Sequence, residues 1–160
     1  MSYGPFISSI TNGTAQLSNS KIVSAFAYCA FIGSVTNGTA SIENSNGTDL
    51  TMPINYLDGG GFMNGVINAT ISIINSNIIG FRNNTKYSVT GGGLIGQTNN
   101  SAIKIHRATI TGINFTNAKF NMITLVSTNS TFDIQQSYSY GTNLDNQKTV
   151  ALCINYSHMK

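Results

Sequence analysis

Apolar and polar positions recur along this chain in a fixed order, clearest over residues 91–108, GGGLIGQTNNSAIKIHRA. Glycines come first, then the apolar pair Leu94-Ile95, an Asn-rich turn, and the alternating run Ala102-Ile103-Lys104-Ile105-His106. With the apolar anchor as origin, the copies begin at Phe6, Phe31, Phe62, Leu94 and Met122, with Leu152 as a sixth candidate. Their spacings are 25, 31, 32, 28 and 30 residues. Four positions on stand Ile10, Val35, Val66 and Val126, with Thr98 the exception; six positions on stand Asn12, Asn37, Asn68 and Asn100. Nine and eleven on stand Ala15/Leu17, Ala40/Ile42, Ile71/Ile73 and Ile103/Ile105, and the fifth copy slips by one to Phe132/Ile134.

Each copy therefore predicts a short strand, a turn of the Thr-Asn-Gly-Thr kind, and a second strand of period two. Asn12-Gly13 and Asn37-Gly38 carry the strongest short turn signal. Between the inward positions of the second strand lie Gln16, Ser41, Ser72, Lys104 and Asp133, as a solvent face requires. Asn46-Gly47-Thr48 and Asn83-Asn84-Thr85 read as loop insertions, and the runs Gly59-Gly60-Gly61 and Gly91-Gly92-Gly93 as bends between rungs. Thirteen positions after the anchor come Asn19, Asn44 and Asn75, with Arg107 in the fourth copy. They form an inward asparagine ladder if the strand continues, or occupy a turn if it has ended.

No helical period is sustained, and one copy buries too little to fold alone, so the copies must stack. The expected fold is all-β, a parallel β-helix or β-solenoid of about five imperfect repeats of 25–32 residues rather than a β-sandwich. The chain is one repeat domain, with copies near 4–28, 29–58, 59–90, 91–118 and 119–160, expected to be part of a longer chain.

Composition narrows the partners. Only 8% of residues are charged, while 41% are hydrophobic; 21 Asn, 18 Ser and 18 Thr take the place of charge. About 20 Ile in alternating runs argue for a folded chain. The net charge of +3 is scattered, with no basic cluster and no interleaved aromatics, which argues against a nucleic-acid partner. No apolar run is long enough for membrane insertion. Cys29 and Cys153 fall several rungs apart, beyond bridging distance, and are expected as buried small hydrophobes.

Gly92-Gly93-Leu94-Ile95-Gly96 resembles the GLUG-type repeat of surface and adhesin-like proteins. Gly60-Gly61-Phe62-Met63 and Ala30-Phe31-Ile32-Gly33 match less fully, and Gly4-Pro5-Phe6-Ile7 and Asn121-Met122-Ile123 lack the glycine pair. The resemblance implies an extracellular β-solenoid of surface or filament type and carries no catalytic residue with it.

Candidate chemistry is sparse. The glycine runs are followed by no Lys-Ser/Thr, so they are not phosphate loops. The acids are Glu43, Asp49, Asp58, Asp133 and Asp145; only Asp49 and Asp58, flanking a long stretch, suggest a pair. His106 and His158 read as solvated, and no metal, cofactor or catalytic site is expected. Nine Asn-x-Ser/Thr sequons, at Asn12, Asn37, Asn46, Asn68, Asn83, Asn99, Asn114, Asn129 and Asn155, are candidate glycosylation sites. Thr109-Ile110-Thr111 is a lone Thr-x-Thr triplet, because Lys21, Asn46, Asn77 and Tyr138 occupy its equivalents. Lys104, His106 and Arg107 make the fourth copy the most basic and the candidate anion contact.

The expected function is that of a non-enzymatic structural or adhesive solenoid. It is expected outside the cell or on its surface, as a mature or excised segment, since residues 1–13 carry no signal-peptide pattern. With no cap evident at either end, copies are expected to stack head to tail. The alternative is carbohydrate binding or processing through Tyr28, Tyr56 and Tyr87, with surface glycans as partners.

Overall fold

The computed structural model describes residues 5–23, 29, 31–52, 59–83, 89–92, 94–115, 118–121, 124–144 and 152–159. The first coil holds β1 (Ile7–Thr11), β2 (Thr14–Ser18) and β3 (Lys21–Val23). The second holds β4 (Ile32–Thr36), β5 (Thr39–Glu43), β6 (Asn46–Met52) and β7 (Gly59–Gly60). The third holds β8 (Met63–Ile67), β9 (Thr70–Ile74), β10 (Asn77–Asn83) and β11 (Val89–Gly92). The fourth holds β12 (Ile95–Asn99), β13 (Ala102–His106), β14 (Thr109–Phe115) and β15 (Ala118–Asn121). The fifth holds β16 (Thr124–Thr128) and the long β17 (Thr131–Leu144), followed by β18 (Leu152–Met159).

Equivalent strands of successive coils pair in parallel. The first face runs β1-β4-β8-β12-β16, and the second runs β2-β5-β9-β13 to the first half of β17. The third face runs β3-β6-β10-β14 to the second half of β17, and a short sheet β7-β11-β15 closes the coil. This is a parallel β-solenoid. Its strands are separated in sequence by a whole coil, as parallel pairing demands.

Register is kept across the three faces, apart from a bulge between β14 and β17 around Ile113. Ile7, Ile32, Met63, Ile95 and Thr124 share a column, giving offsets of 25, 31, 32 and 29 residues. The second face, through Thr14, Thr39, Thr70, Ala102 and Thr131, repeats those offsets. All variation in coil length therefore falls after the third strand. The expected inward columns hold: Ala15-Ala40-Ile71-Ile103-Phe132 and Leu17-Ile42-Ile73-Ile105-Ile134 stack in register. With Phe31, Phe62, Leu94, Ile78 and Phe81 they form one core along the solenoid axis. The Phe31 and Phe62 rings stack with centroids 5.8 Å apart.

Several expectations need correction. The fifth copy does not slip: Ile95 pairs with Thr124, so position 123 rather than Met122 is equivalent to Leu94 in sequence. Val126 accordingly pairs with Gln97, and Ser127 takes the column of Ile10, Val35 and Val66 below Thr98. Thr98 Oγ1 donates to Ser127 Oγ at 3.0 Å, so this inward column turns polar in its last two rungs. Asn46-Gly47-Thr48 is not an insertion but the start of β6, and Asn83 closes β10; Asn84 and Thr85 lie outside the described residues. The glycine runs are more than bends, because Gly91 pairs with Gly59 and Gly92 with Gly60. A Cβ on Gly60 would overlap the Met63 carbonyl and the Gly96 amide, which is why glycine stands there. Leu152 opens no sixth copy: β18 runs antiparallel along β17, from Phe132↔Met159 to Ser139↔Leu152. The C-terminal edge of that sheet is thus covered, contrary to the expectation of two uncapped ends.

The Asn-Gly turns are corners between faces, since β1 and β2 belong to different sheets. An Asn-Gly hairpin needs two residues at positive φ. Here a single left-handed residue turns each corner: Asn12, Asn37, Asn68, Asn100 and Asn129 have φ between 47 and 51°. The second corner uses Asn19, Asn44, Asn75, Arg107 and Gln136, with φ of 49 to 53°. Asparagine tolerates this region better than other side chains that carry a Cβ. The residues thirteen after the anchor are therefore exposed turn residues, and the strand has ended there. They still form part of a ladder, for Asn75 Nδ2 donates to Asn44 Oδ1 at 3.2 Å.

Candidate functional site

The corner that joins the second and third faces is the most regular chemical feature of the molecule. After each left-handed residue comes Ser20, Ser45, Ser76, Ala108 or Ser137. Ser45 and Ser76 are fully buried, and Ser137 is nearly so. Ser45 Oγ donates to the Glu43 carbonyl at 2.8 Å and accepts the Ser20 N–H at 3.1 Å. Ser76 Oγ repeats the arrangement with Ile74 and Ser45, and Ser137 Oγ with Gln135 and Ala108. Each hydroxyl gives an acceptor to the amide of the neighbouring rung, which the corner takes out of the ladder. It adds a second bond to the carbonyl two residues back, which already accepts the N–H of the left-handed residue one rung away. At the first corner Ser101 and Ser130 do the same. The recurrent dipeptide Asn-Ser, at Asn19-Ser20, Asn44-Ser45, Asn75-Ser76, Asn100-Ser101 and Asn129-Ser130, was the sequence signal for it.

Exposed asparagines flank these corners and bond rung to rung. Asn68 Nδ2 donates to Asn37 Oδ1 at 3.2 Å, and Asn77 Nδ2 to Asn46 Oδ1 at 3.1 Å. Thr109 Oγ1 extends the second ladder by donating to Asn77 Oδ1. Of the sequons, Asn12, Asn37, Asn68 and Asn129 sit at the first corner, exposed, and Asn99 one residue before it. Asn46 opens β6 and is also exposed. Asn83, Asn114 and Asn155 lie in β10, β14 and β18, with side chains outside the described set. Successive rungs of a sheet are about 4.8 Å apart, so the corner sequons stand directly over one another.

The basic residues of the fourth coil are spread over a strand and the corner that follows it. Lys104 and His106 point outward on β13, and Arg107 occupies the left-handed corner position beyond them. His106 Nε2 lies 3.0 Å from Asp133 Oδ2 on the next rung, so this histidine has a carboxylate partner rather than being merely solvated. Gln135 Nε2 donates to Asp133 Oδ1, also at 3.0 Å. The Gln135 hydrogen bond, the His106 hydrogen bond and charge, and the Lys104 charge together hold the Asp133 carboxyl below its ordinary range. Asp133 thus meets part of the positive charge of this rung. Beside it, Ala102 interrupts the exposed threonine column Thr14-Thr39-Thr70-Thr131, leaving a shallow groove bordered by Thr70, Thr131, Lys104 and Asp133.

Asp49 lies within β6 at φ 53°, and Asp58, its expected partner, lies outside the described residues. Cys29 is buried, with Sγ donating to the Ile32 carbonyl at 3.1 Å, and burial pushes its thiol pKa up. Cys153 and His158 belong to β18, without described side chains. Tyr28, Tyr56 and Tyr87 also lie outside the described residues. Among the described residues no three His, Cys, Asp or Glu side chains are grouped to hold a metal ion, and no helix is long and apolar enough to cross a membrane. No family model, curated protein or solved structure matches the chain.

Proposed function

We propose that this chain is a non-enzymatic structural β-solenoid of the cell exterior, which presents repeated neutral faces and associates end to end with copies of itself. The observation that carries this reading is the rung-to-rung pairing of exposed amides, Asn37 with Asn68, Asn44 with Asn75 and Asn46 with Asn77. Side chains bonded along the axis hold a repeating, uncharged surface at little further entropy, which suits contact with another regular surface. The resemblance of residues 92–96 to GLUG-type repeats supports the extracellular, adhesin-like setting. Electron microscopy and light scattering of the isolated chain at rising concentration test it. Rods and end-to-end multiples of one length are expected. Particles that remain single at every concentration, whether β18 is paired or unpaired, overturn the self-association.

The groove beside Ala102 favours a second reading, carbohydrate binding on the second face, with Asp133 and Lys104 addressing hydroxyl groups and the Thr70 and Thr131 methyls the ring. Binding in a glycan array that is lost in Asp133→Asn supports it, and a blank array removes it.

A further inference from the structure

The two ends of the solenoid are unlike. At one end β1, β2 and β3 each pair on a single side among the described residues. At the other, β18 lies along β17, the one antiparallel pairing among the described strands. Every other neighbour relation among the described strands is parallel, and all but the β14–β17 ladder, which bulges around Ile113, keep register. The natural continuation of β17 is therefore another parallel rung, and β18 occupies its place. We propose that the β17 edge is the docking edge for the β2–β3 edge of a second copy of this chain, and that β18 is an intramolecular strand that keeps it closed. The proposal rests on the end-to-end association put forward above and names what controls it.

The second copy fits this edge in three ways. The first is hydrogen bonding at the corner. In the serine ladder each hydroxyl accepts the amide of the rung before it, Ser20 N–H to Ser45 Oγ, Ser45 N–H to Ser76 Oγ, Ala108 N–H to Ser137 Oγ. Ser20 Oγ donates to the Ser18 carbonyl like the others, which orients its acceptor lone pairs for an amide from an earlier rung. The Ser137 N–H of a preceding copy is the group that the register supplies. The second is volume. The inward column grows from Ala15 through Ile71 to Phe132, so continuing it sets a small residue against a large one, the alternation that fills a core without voids. The third is burial. Phe6 is 67% exposed at the open end, and Ile7 and Ala15 are only partly covered, whereas Phe31 and Ile32 one coil in are fully buried. A further rung would complete the cover of the first coil, and an unpaired strand edge is a ready template for one.

β18 blocks this by pairing with both halves of β17, through Ile134↔Tyr156 on the second face and Ser137↔Ile154 at the corner. Its register shifts twice along the way, between Phe132 and Ile134 and between Ile134 and Ser137, whereas the parallel β13–β17 ladder on the second face is unbroken. A poorly registered strand is displaced at lower cost than a rung of the stack.

The test is the concentration at which single rods become multiples, read by light scattering and microscopy on the full chain. A double variant, Ile154→Pro with Tyr156→Pro, removes amides from β18 and unpairs it. It should assemble at a concentration about tenfold or more below that of the wild type, as expected when a competing intramolecular contact is removed. Adding Ala15→Lys should return the particles to single rods, because stacking would bury an unpaired ammonium against Phe132. If the proline variant and the wild type assemble alike, the closing role of β18 is overturned while self-association stands. If neither assembles, both fail. Should the proline variant lose its β-sheet circular dichroism, hydrogen exchange on the wild type decides. In assembled rods amides 152–159 must lose protection while amides 14–18 gain it, and continued protection of 152–159 in rods overturns the proposal.

Discussion

The Ser76 hydroxyl accepts the backbone N–H of Ser45 from the rung before it, at 3.2 Å, and donates to the Ile74 carbonyl at 2.8 Å. One small side chain thus satisfies two backbone groups at a fully buried corner. Ser76→Ala would leave the Ser45 N–H without an acceptor in a site water does not reach, while the Ile74 carbonyl keeps the Asn44 N–H, a loss of about 1–3 kcal/mol. Chemical denaturation should show a lower midpoint with an unchanged slope.

The fourth coil offers the reverse experiment. Ala108 stands fully buried in the serine column between Ser76 and Ser137. Ala108→Ser supplies the missing hydroxyl one rung above the Ser76 amide and should stabilise by about 0.5–1.5 kcal/mol. The same denaturation midpoint, now moving up, checks it; a fall would mean the corner there is too tight for the added oxygen.

Arg107 holds the left-handed corner at φ 53°, where asparagine stands in the first three coils. Arg107→Asn should raise stability by a few tenths to about 1 kcal/mol, since asparagine carries less of the left-handed penalty. It should also extend the Asn44–Asn75 ladder by a rung, visible as slower exchange of the carboxamide protons in NMR.

Phe31 and Phe62 stack in the core where the fourth side of the coil meets the first face, both fully buried. Phe62→Ala should cost about 3–5 kcal/mol, with less for Leu, which refills most of the space. A Phe62→Ala protein of unchanged melting temperature would contradict this packing.

Acid should act in part through Asp133. Its carboxyl titrates below its ordinary value, held there first by Gln135, then by His106 and Lys104. A carboxyl depressed on folding contributes stability above its unfolded pKa of about 3.9, and that contribution is lost as pH falls through the folded value. Asp133→Asn should therefore reduce the acid slope of the melting temperature below about pH 4. The change should be small, because the pair is solvent-accessible.

Cys29 is expected to resist thiol reagents while the chain is folded, because burial raises its pKa and starves it of thiolate. In a Cys153→Ser background, labelling should appear only across the unfolding transition. Rapid modification under native conditions would show that the coil opens there.

Much of this architecture was legible in the sequence. Period-two alternation in Ala40-Ser41-Ile42 or Ile103-Lys104-Ile105 determines which side faces the core, since a strand's side chains alternate whatever its neighbours do. The recurrence of that pattern every 25 to 32 residues determines that the rungs stack, because no copy can bury its inner face alone. What the corner asparagines do was not legible. An Asn-Gly pair is equally suited to a hairpin and to a single left-handed bend, and only pairing with the next coil, rather than with the preceding strand, selects between them. The partnership of His106 with Asp133 lies 27 residues apart and runs diagonally, since His106 stands in register with Gln135, so matching columns alone does not reveal it.

The sequence alone thus determined the inward columns, the coil and its repetition, because those depend on local periodicity and on the need to bury an apolar face. The tertiary structure alone decided the serine ladder, the polar turn of the Thr98–Ser127 column, and the antiparallel seat of β18 on β17. Each of these depends on which backbone groups are left unpaired once the rungs are in register, and that can be known only when the rungs are stacked.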